Sequence, residues 1–257
     1  MLVVISPAKR LNWTERDIPV TAPAFQEDAV RLAKTARSLT LRDLRALMNL
    51  SPELARLNRD RFRDFAADPD PKAVRPAVLA FAGDTYQGLD APSLDADERG
   101  WAQAHLRILS GLYGLLRPFD AIQPYRLEMG SRLKTRRGAT LYAYWRDQIA
   151  KVLNAEAKGL DTNFLINCAS QEYFGAVDHA ALKLRVVTPQ FLEDRGGQPK
   201  TVSFFAKRAR GAMARFVIQN RLTDSAALTE FDMGGYAFSP ELSVPDRPVF
   251  VRPYPEP

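Results

Sequence analysis

Short apolar runs alternate with segments of helical spacing along most of the chain, and this alternation restricts the fold more than any other feature. Residues 2–6, 77–82, 163–169, 184–192 and 247–252 read as strands, and residues 201–205 as a short strand candidate. Apolar runs of this length, bounded by Gly, Pro, Asp or Ser, suit buried strands. Residues 26–38 instead repeat Ala29, Leu32, Ala33 and Ala36 at helical intervals, and residues 96–105, 140–153 and 205–222 also read as helices. Residues 106–116, with Gly111 and Gly114, fit either a strand or a helix. The pattern predicts an α/β fold, a mixed sheet with surrounding helices. No linker, repeat or low-complexity tract divides the chain, so residues 1–257 are expected to form a single compact unit. A chain this long buries roughly 70% of its unfolded surface and needs no staples.

Residues 40–65 carry local signals for a helical hairpin. Thr40 with Asp43 three residues later resembles a capping box. Leu41, Leu44, Leu47 and Met48 then share one face. Ser51-Pro52 restarts a helix, with a serine N-cap and proline at the first helical position. The connection is only Asn49-Leu50-Ser51.

Cys168 is the one cysteine and His105 and His179 the two histidines, with no ligand spacing among them. No metal site and no cofactor is expected. A lone cysteine in an apolar strand is an inert core residue and fits a reducing compartment. The apolar start at residues 2–5 is too short for a signal peptide, and no run approaches the roughly 18 apolar residues of a membrane span. The expectation is a cytoplasmic protein without a membrane partner, most simply a monomer.

The formal net charge is +6 and is unevenly spread. Residues 31–63 hold nine basic side chains against three acids, Arg61 among them. Residues 132–137 hold Arg132, Lys134, Arg136 and Arg137. Residues 204–222 hold Lys207, Arg208, Arg210, Arg215 and Arg221 with no acid. On a helical wheel Arg210 and Arg221 fall roughly 40–60° to one side of Lys207, and Arg208 and Arg215 roughly 80–100° to the other. Such a helix is expected to pack one face on the core and present all five cations on the other. With no acid to offset them, these charges repel one another until phosphates neutralise them. Solvated helix faces are the plain alternative for each run.

Candidate chemistry sits at strand ends. Ser6-Pro7-Ala8-Lys9 follows the first strand, where α/β proteins bind ligands, and Lys9 suits a phosphate contact. Its S-x-x-K spacing lacks the companion motifs of penicillin-recognising enzymes. Asp84 lies just past a strand, Glu172 just past another, and Glu128 follows Tyr125-Arg126. Strand-end carboxylates that converge can share acid–base work; those that do not are caps or ion-pair partners. No phosphate-binding G-x-x-x-x-G-K-[ST] or dinucleotide G-x-G-x-x-G pattern is present.

Five stretches together carry a family resemblance: VVISPAK at 3–9, FAGDTYQGL at 81–89, LRILSGLYGLLRPFDAIQPYRLEMG at 106–130, INCASQEYF at 166–174 and SFFAKRARGAMARFVIQNRL at 203–222. They resemble the YaaA family of bacterial peroxide-stress resistance proteins, nearly end to end. The resemblance implies survival under hydrogen peroxide, a lowering of unincorporated iron, and DNA binding through a positively charged cleft with a helix-hairpin-helix element. Residues 40–65 look like the counterpart of that element, although the turn lacks glycine.

The expected function is therefore a peroxide-stress protein that binds duplex or structured DNA by shape and limits iron-dependent oxidative damage. Its expected contacts are Lys9, Arg126, Arg132, Lys134, Arg136, Arg137, Lys207, Arg208, Arg210, Arg215 and Arg221, with Tyr125 and Phe205 as base-stacking candidates. On this reading charge reversal at Arg208 or Arg215 weakens DNA binding. The alternative is an enzyme acting on a nucleobase or nucleotide, for instance by N-glycosidic cleavage, with Lys9, Asp84, Glu128 and Glu172 as catalytic candidates. Direct iron sequestration is a third reading without ligands to support it.

Overall fold

The structure is a computed structural model that describes residues 1–255. Its centre is a five-stranded mixed sheet in the order Gly114–Leu116, Leu106–Ser110, Leu2–Ile5, Phe164–Cys168, Arg185–Val187. Neighbouring strands from Leu106–Ser110 to Arg185–Val187 run parallel, and Gly114–Leu116 is the antiparallel edge. Leu2–Ile5 lies in the middle with every residue buried, as an uninterrupted apolar run in a parallel sheet requires. The α/β expectation with a mixed sheet and surrounding helices is correct. Beside that sheet stands a second one, not foreseen, in the order Pro199–Lys200, Gln190–Asp194, Val249–Pro253, Ala237–Phe238.

Several expected elements resolve differently. Residues 184–192 form not one strand but two, Arg185–Val187 in the central sheet and Gln190–Asp194 in the second. Thr188-Pro189 is the crossing, because proline cannot donate to a continuous ladder. Residues 77–82 are mostly a helical turn, Ala77–Ala80, before the two-residue strand Phe81–Ala82. Residues 77–81 are all buried, and a uniformly apolar run carries no periodicity to separate the two states. Residues 106–116 are a strand pair turning at residues 111–113. Gly114 there has φ +67°, and a Cβ on it would sit 2.8 Å from the Trp145 ring. Residues 140–153 split into Leu141–Trp145 and Gln148–Gly159 at Arg146, whose φ of 44° breaks the helix. Residues 201–205 are not a strand; the helix Ser203–Gln219 has begun by then.

The helical hairpin follows its local signals. Leu41–Met48 starts with the Thr40–Asp43 capping box, and Pro52–Asp64 with the Ser51 hydroxyl accepting from the Leu54 amide at 3.3 Å. Asn49 adopts φ 49°, the left-handed cap usually given to glycine, and asparagine is the next best residue for it.

A buried cation ties the sheet to its helices. Arg107, in the strand Leu106–Ser110, donates from Nε to Glu156 Oε2 at 2.6 Å. Its other nitrogens donate to the carbonyls of Gln103, Ala104 and Leu106, closing the C-terminal end of the helix Ala96–His105. His105 ends that helix, stacked on Trp101 at 3.8 Å with Nδ1 2.8 Å from the Met1 carbonyl. Burial lowers the pKa of its imidazole from 6.5, more than the Met1 hydrogen bond raises it. The unfolded chain thus takes up the proton at higher pH than the folded one, so stability falls as pH drops below 6.5. Melting curves from about pH 7.5 to about 5.5 should show this decline, and His105→Asn, which keeps the donor but cannot titrate, should flatten it.

Candidate nucleic-acid interface

The cleft of interest opens at the C-terminal ends of the parallel strands Leu2–Ile5 and Phe164–Cys168. In an open α/β sheet the strand ends leave backbone groups and loop side chains converging there. Ser6 and Ser170 leave the two strands side by side. The Ser170 amide donates to Ser6 Oγ at 2.9 Å, and the two hydroxyls lie 3.3 Å apart. The Tyr86 hydroxyl donates to the Ser6 carbonyl at 3.1 Å and closes the pocket behind them. Cys168 lies in the wall; burial pushes its thiol up to about 12, so it is no nucleophile at neutral pH.

A helix crossing brings the charged groups to this edge. The short helix Asp84–Leu89 lies backbone against backbone on the long helix Ser203–Gln219. Gly88 faces the Arg208 carbonyl and Ala212 amide, and Gly211 faces the Thr85 carbonyl and Leu89 amide. A Cβ at either glycine would collide with those main-chain atoms. The close approach sets Asp84 and Thr85 across the same cavity, about 490 Å³, from Lys207 and Arg210.

The charges around the cavity do not balance. Lys9 Nζ lies 2.8 Å from Glu128 Oε2, while Arg126 binds the other oxygen of that carboxylate at 2.9 Å. Two cations therefore share one acid. Glu172 Oε1 accepts from the Gly130 amide at 2.9 Å. Lys207 and Arg210 have no acidic partner within 4.0 Å among the described residues, and burial lowers the pKa of the Arg210 guanidinium. Arg61 is lowered too, first by burial and then by the neighbouring charge of Arg126. The Asp84 carboxylate makes no ion pair or hydrogen bond among the described residues. Among those residues no group of three or more His, Cys, Asp or Glu side chains could hold a metal ion.

Comparison with known proteins matches this chain, over residues 1–242, to a family model described as "Peroxide stress protein YaaA". The chain belongs to the YaaA family. Among its relatives, a UPF0246 protein of Roseobacter denitrificans is 74% identical over 257 residues, 99% of each chain. One from Ruegeria pomeroyi is 71% identical over 254 residues, again 99% of each. A third, from Phenylobacterium zucineum, is 55% identical over 259 residues, covering 100% of this chain and 97% of its own. Membership of the YaaA family supports a role in peroxide stress. No helix among the described residues is long and apolar enough to cross a membrane.

Of the expected site residues in this YaaA chain, Lys9, Asp84, Glu172, Lys207 and Arg210 line the cleft together, and Glu128 and Arg126 adjoin it through Lys9. The five cations of the long helix do not share a face. Arg208 and Arg215 border a separate hollow with Phe205, Tyr236 and Arg252, because the helix is wedged between the short helix and the sheets rather than lying on a surface. Arg215 is occupied by the carbonyls of Leu89 and Asp90 at 3.1 and 2.9 Å and by Ser93 Oγ at 2.8 Å. Arg221 lies beyond the helix, 3.8 Å from Asp97. Arg132 and Lys134 are exposed on either side of the buried Leu133. Arg136 and Arg137 border another hollow with Arg146; Arg137 also pairs with Asp28 at 2.9 Å and lies over the Tyr144 ring.

Tyr125 is no base-stacking group: it is 4% exposed, and its hydroxyl is 2.6 Å from Ser110 Oγ. Phe205 is covered by Arg252 at 4.5 Å. Three cleft residues, and Arg61 beside Arg126, fall outside the site groups expected from the sequence. Arg10 had only its adjacency to Lys9, and Arg61 was one of nine in a charge run. Ser6 and Ser170 sit in two motifs that only the sheet brings together.

Proposed function

We propose that this protein protects against peroxide by binding DNA through the cationic cleft, reading backbone and shape rather than base sequence. It would thereby limit iron-dependent damage at the DNA itself. The observation that carries this reading is Arg210, half-buried in the cleft with no carboxylate among the described residues to neutralise it, beside Lys207, which also has none among them. A guanidinium stays charged at neutral pH even when desolvated, so an anion from outside is its natural partner. Lys9, Arg126 and Arg61 extend the same excess from the cleft toward the helical hairpin. That spread of charge suits a polyanion.

Fluorescence anisotropy with labelled duplex, single-stranded and bubble DNA across a salt series tests the proposal. Affinity should fall steeply with salt, and the log–log slope counts the phosphates neutralised. No binding at low salt would sink it.

A second reading is kept because Lys9, Asp84, Glu128 and Glu172 gather around one cleft rather than scattering. On that reading Asp84, free of partners, orients water or accepts a proton while the cations hold phosphate. Mass analysis of nucleosides and lesion-containing DNA after incubation separates the two. A new product that disappears in Asp84→Asn supports an enzyme; an unchanged panel leaves binding alone.

A further inference from the structure

The depth and lining of the cleft say more about what enters it. A cavity of about 490 Å³ is the size of a site for one small molecule. It cannot admit a duplex, whose major groove alone is roughly 12 Å wide. The phosphates of an intact duplex can reach Lys9 and Lys207, which are exposed at the rim. Arg210 lines the interior of the cavity and is half-buried, so a phosphate must enter the cleft to meet it. Something narrower must occupy the interior.

The interior is not built for phosphate alone. Asp84 turns an unpaired carboxylate on the cavity and would repel a phosphate there. A carboxylate without a partner accepts hydrogen bonds, and base edges and exocyclic amines supply N–H donors. The Ser6 and Ser170 hydroxyls both donate and accept, which suits a sugar or a base edge. Asp84 is more than 4.0 Å from both Lys207 and Arg210, so the acidic and cationic groups are separated rather than cancelled. An occupant with an anionic end and an N–H-bearing end satisfies both.

We infer that the cleft takes a single unpaired nucleotide swung out of the helix, its phosphate on Lys207 and Arg210 and its base edge on Asp84. This rests on the DNA-binding reading above and narrows it. Extruding a base from a sound duplex costs a few kcal/mol, whereas a mismatched or unpaired base is already partly free. DNA with unpaired positions is therefore favoured, with no sequence readout in the grooves.

The test uses the full chain and 2-aminopurine, a base that bears an exocyclic amine and fluoresces when unstacked. It is placed once in a paired duplex and once in a small bubble, and anisotropy and 2-aminopurine emission are read in the same titration. The bubble should bind about ten- to hundredfold tighter than the duplex, and emission should rise on binding. Asp84→Ala, which removes the acceptor, should abolish most of that preference while leaving duplex affinity equal or higher. Lys207→Gln with Arg210→Gln should weaken both substrates. Equal affinity for bubble and duplex with unchanged emission overturns the inference and leaves DNA binding standing. Binding preference that survives Asp84→Ala removes the base-edge assignment and also overturns it. Absence of any DNA binding defeats both.

Discussion

Gly211→Ala is expected to lower the melting temperature by about 6–12 °C. The added Cβ would collide with the Thr85 carbonyl and lie 2.8 Å from the Leu89 amide, both main-chain atoms that cannot rotate away. Overpacking of this kind costs about 3 kcal/mol, and each kcal/mol is worth roughly 2–4 °C in a chain of this size. Gly88→Ala meets the Arg208 carbonyl from the other side of the same crossing and should behave alike. Either variant must also part the two helices, so Asp84 and Thr85 move away from Lys207 and Arg210. Whatever protein remains folded should bind DNA more weakly than the parent. Alanine at Gly159, where a Cβ meets nothing within 4 Å, is the control and should melt like the parent. A Gly211→Ala protein that melts within about 1 °C of the parent would mean the crossing relaxes freely.

The second large effect separates cations that the sequence groups together. Lys207→Gln with Arg210→Gln should reduce DNA affinity at low salt about hundredfold and lower the salt slope by about 1, since both cations hold one phosphate. Their folded-state partners are few, so the melting temperature should hardly change. Arg215→Gln should do the reverse. It loses charge-assisted hydrogen bonds to Leu89, Asp90 and Ser93, about 2 kcal/mol or ~4–8 °C, and leaves affinity nearly intact. Anisotropy and melting measured on both variants check the pair. If Arg215→Gln weakens binding as much as the double variant without loss of stability, the cleft is not where DNA is held.

These two predictions mark the line between what was legible in the residues and what was not. Local signals survived into the structure because local chemistry produces them. Thr40 and Asp43 cap a helix wherever that helix is placed, Ser51-Pro52 starts the next, and Leu2–Ile5 is too apolar and too short to be anything but a buried strand. The basic character of the long helix and the strand-end positions of Lys9, Asp84 and Glu172 were equally open to inspection.

Convergence was not. Whether Arg215 faces DNA or a carbonyl, and whether Tyr125 stacks on a base or lies beneath Phe81 and Tyr113, depends on which neighbours lie across from it. Amphipathic spacing assumes a helix with one wet side, and the helix Ser203–Gln219 is covered on more than one. The uniformly apolar segment 77–82 failed for a related reason, since a run buried all round has no period to read. By itself the sequence determined the α/β class, the caps, the hairpin and the stock of charges, all of which follow from interactions within a few residues. Only the tertiary structure decided which charges meet. The Gly88–Gly211 approach and the parallel pairing of Leu2–Ile5 with Phe164–Cys168 join groups far apart in the chain, and no local propensity encodes that distance.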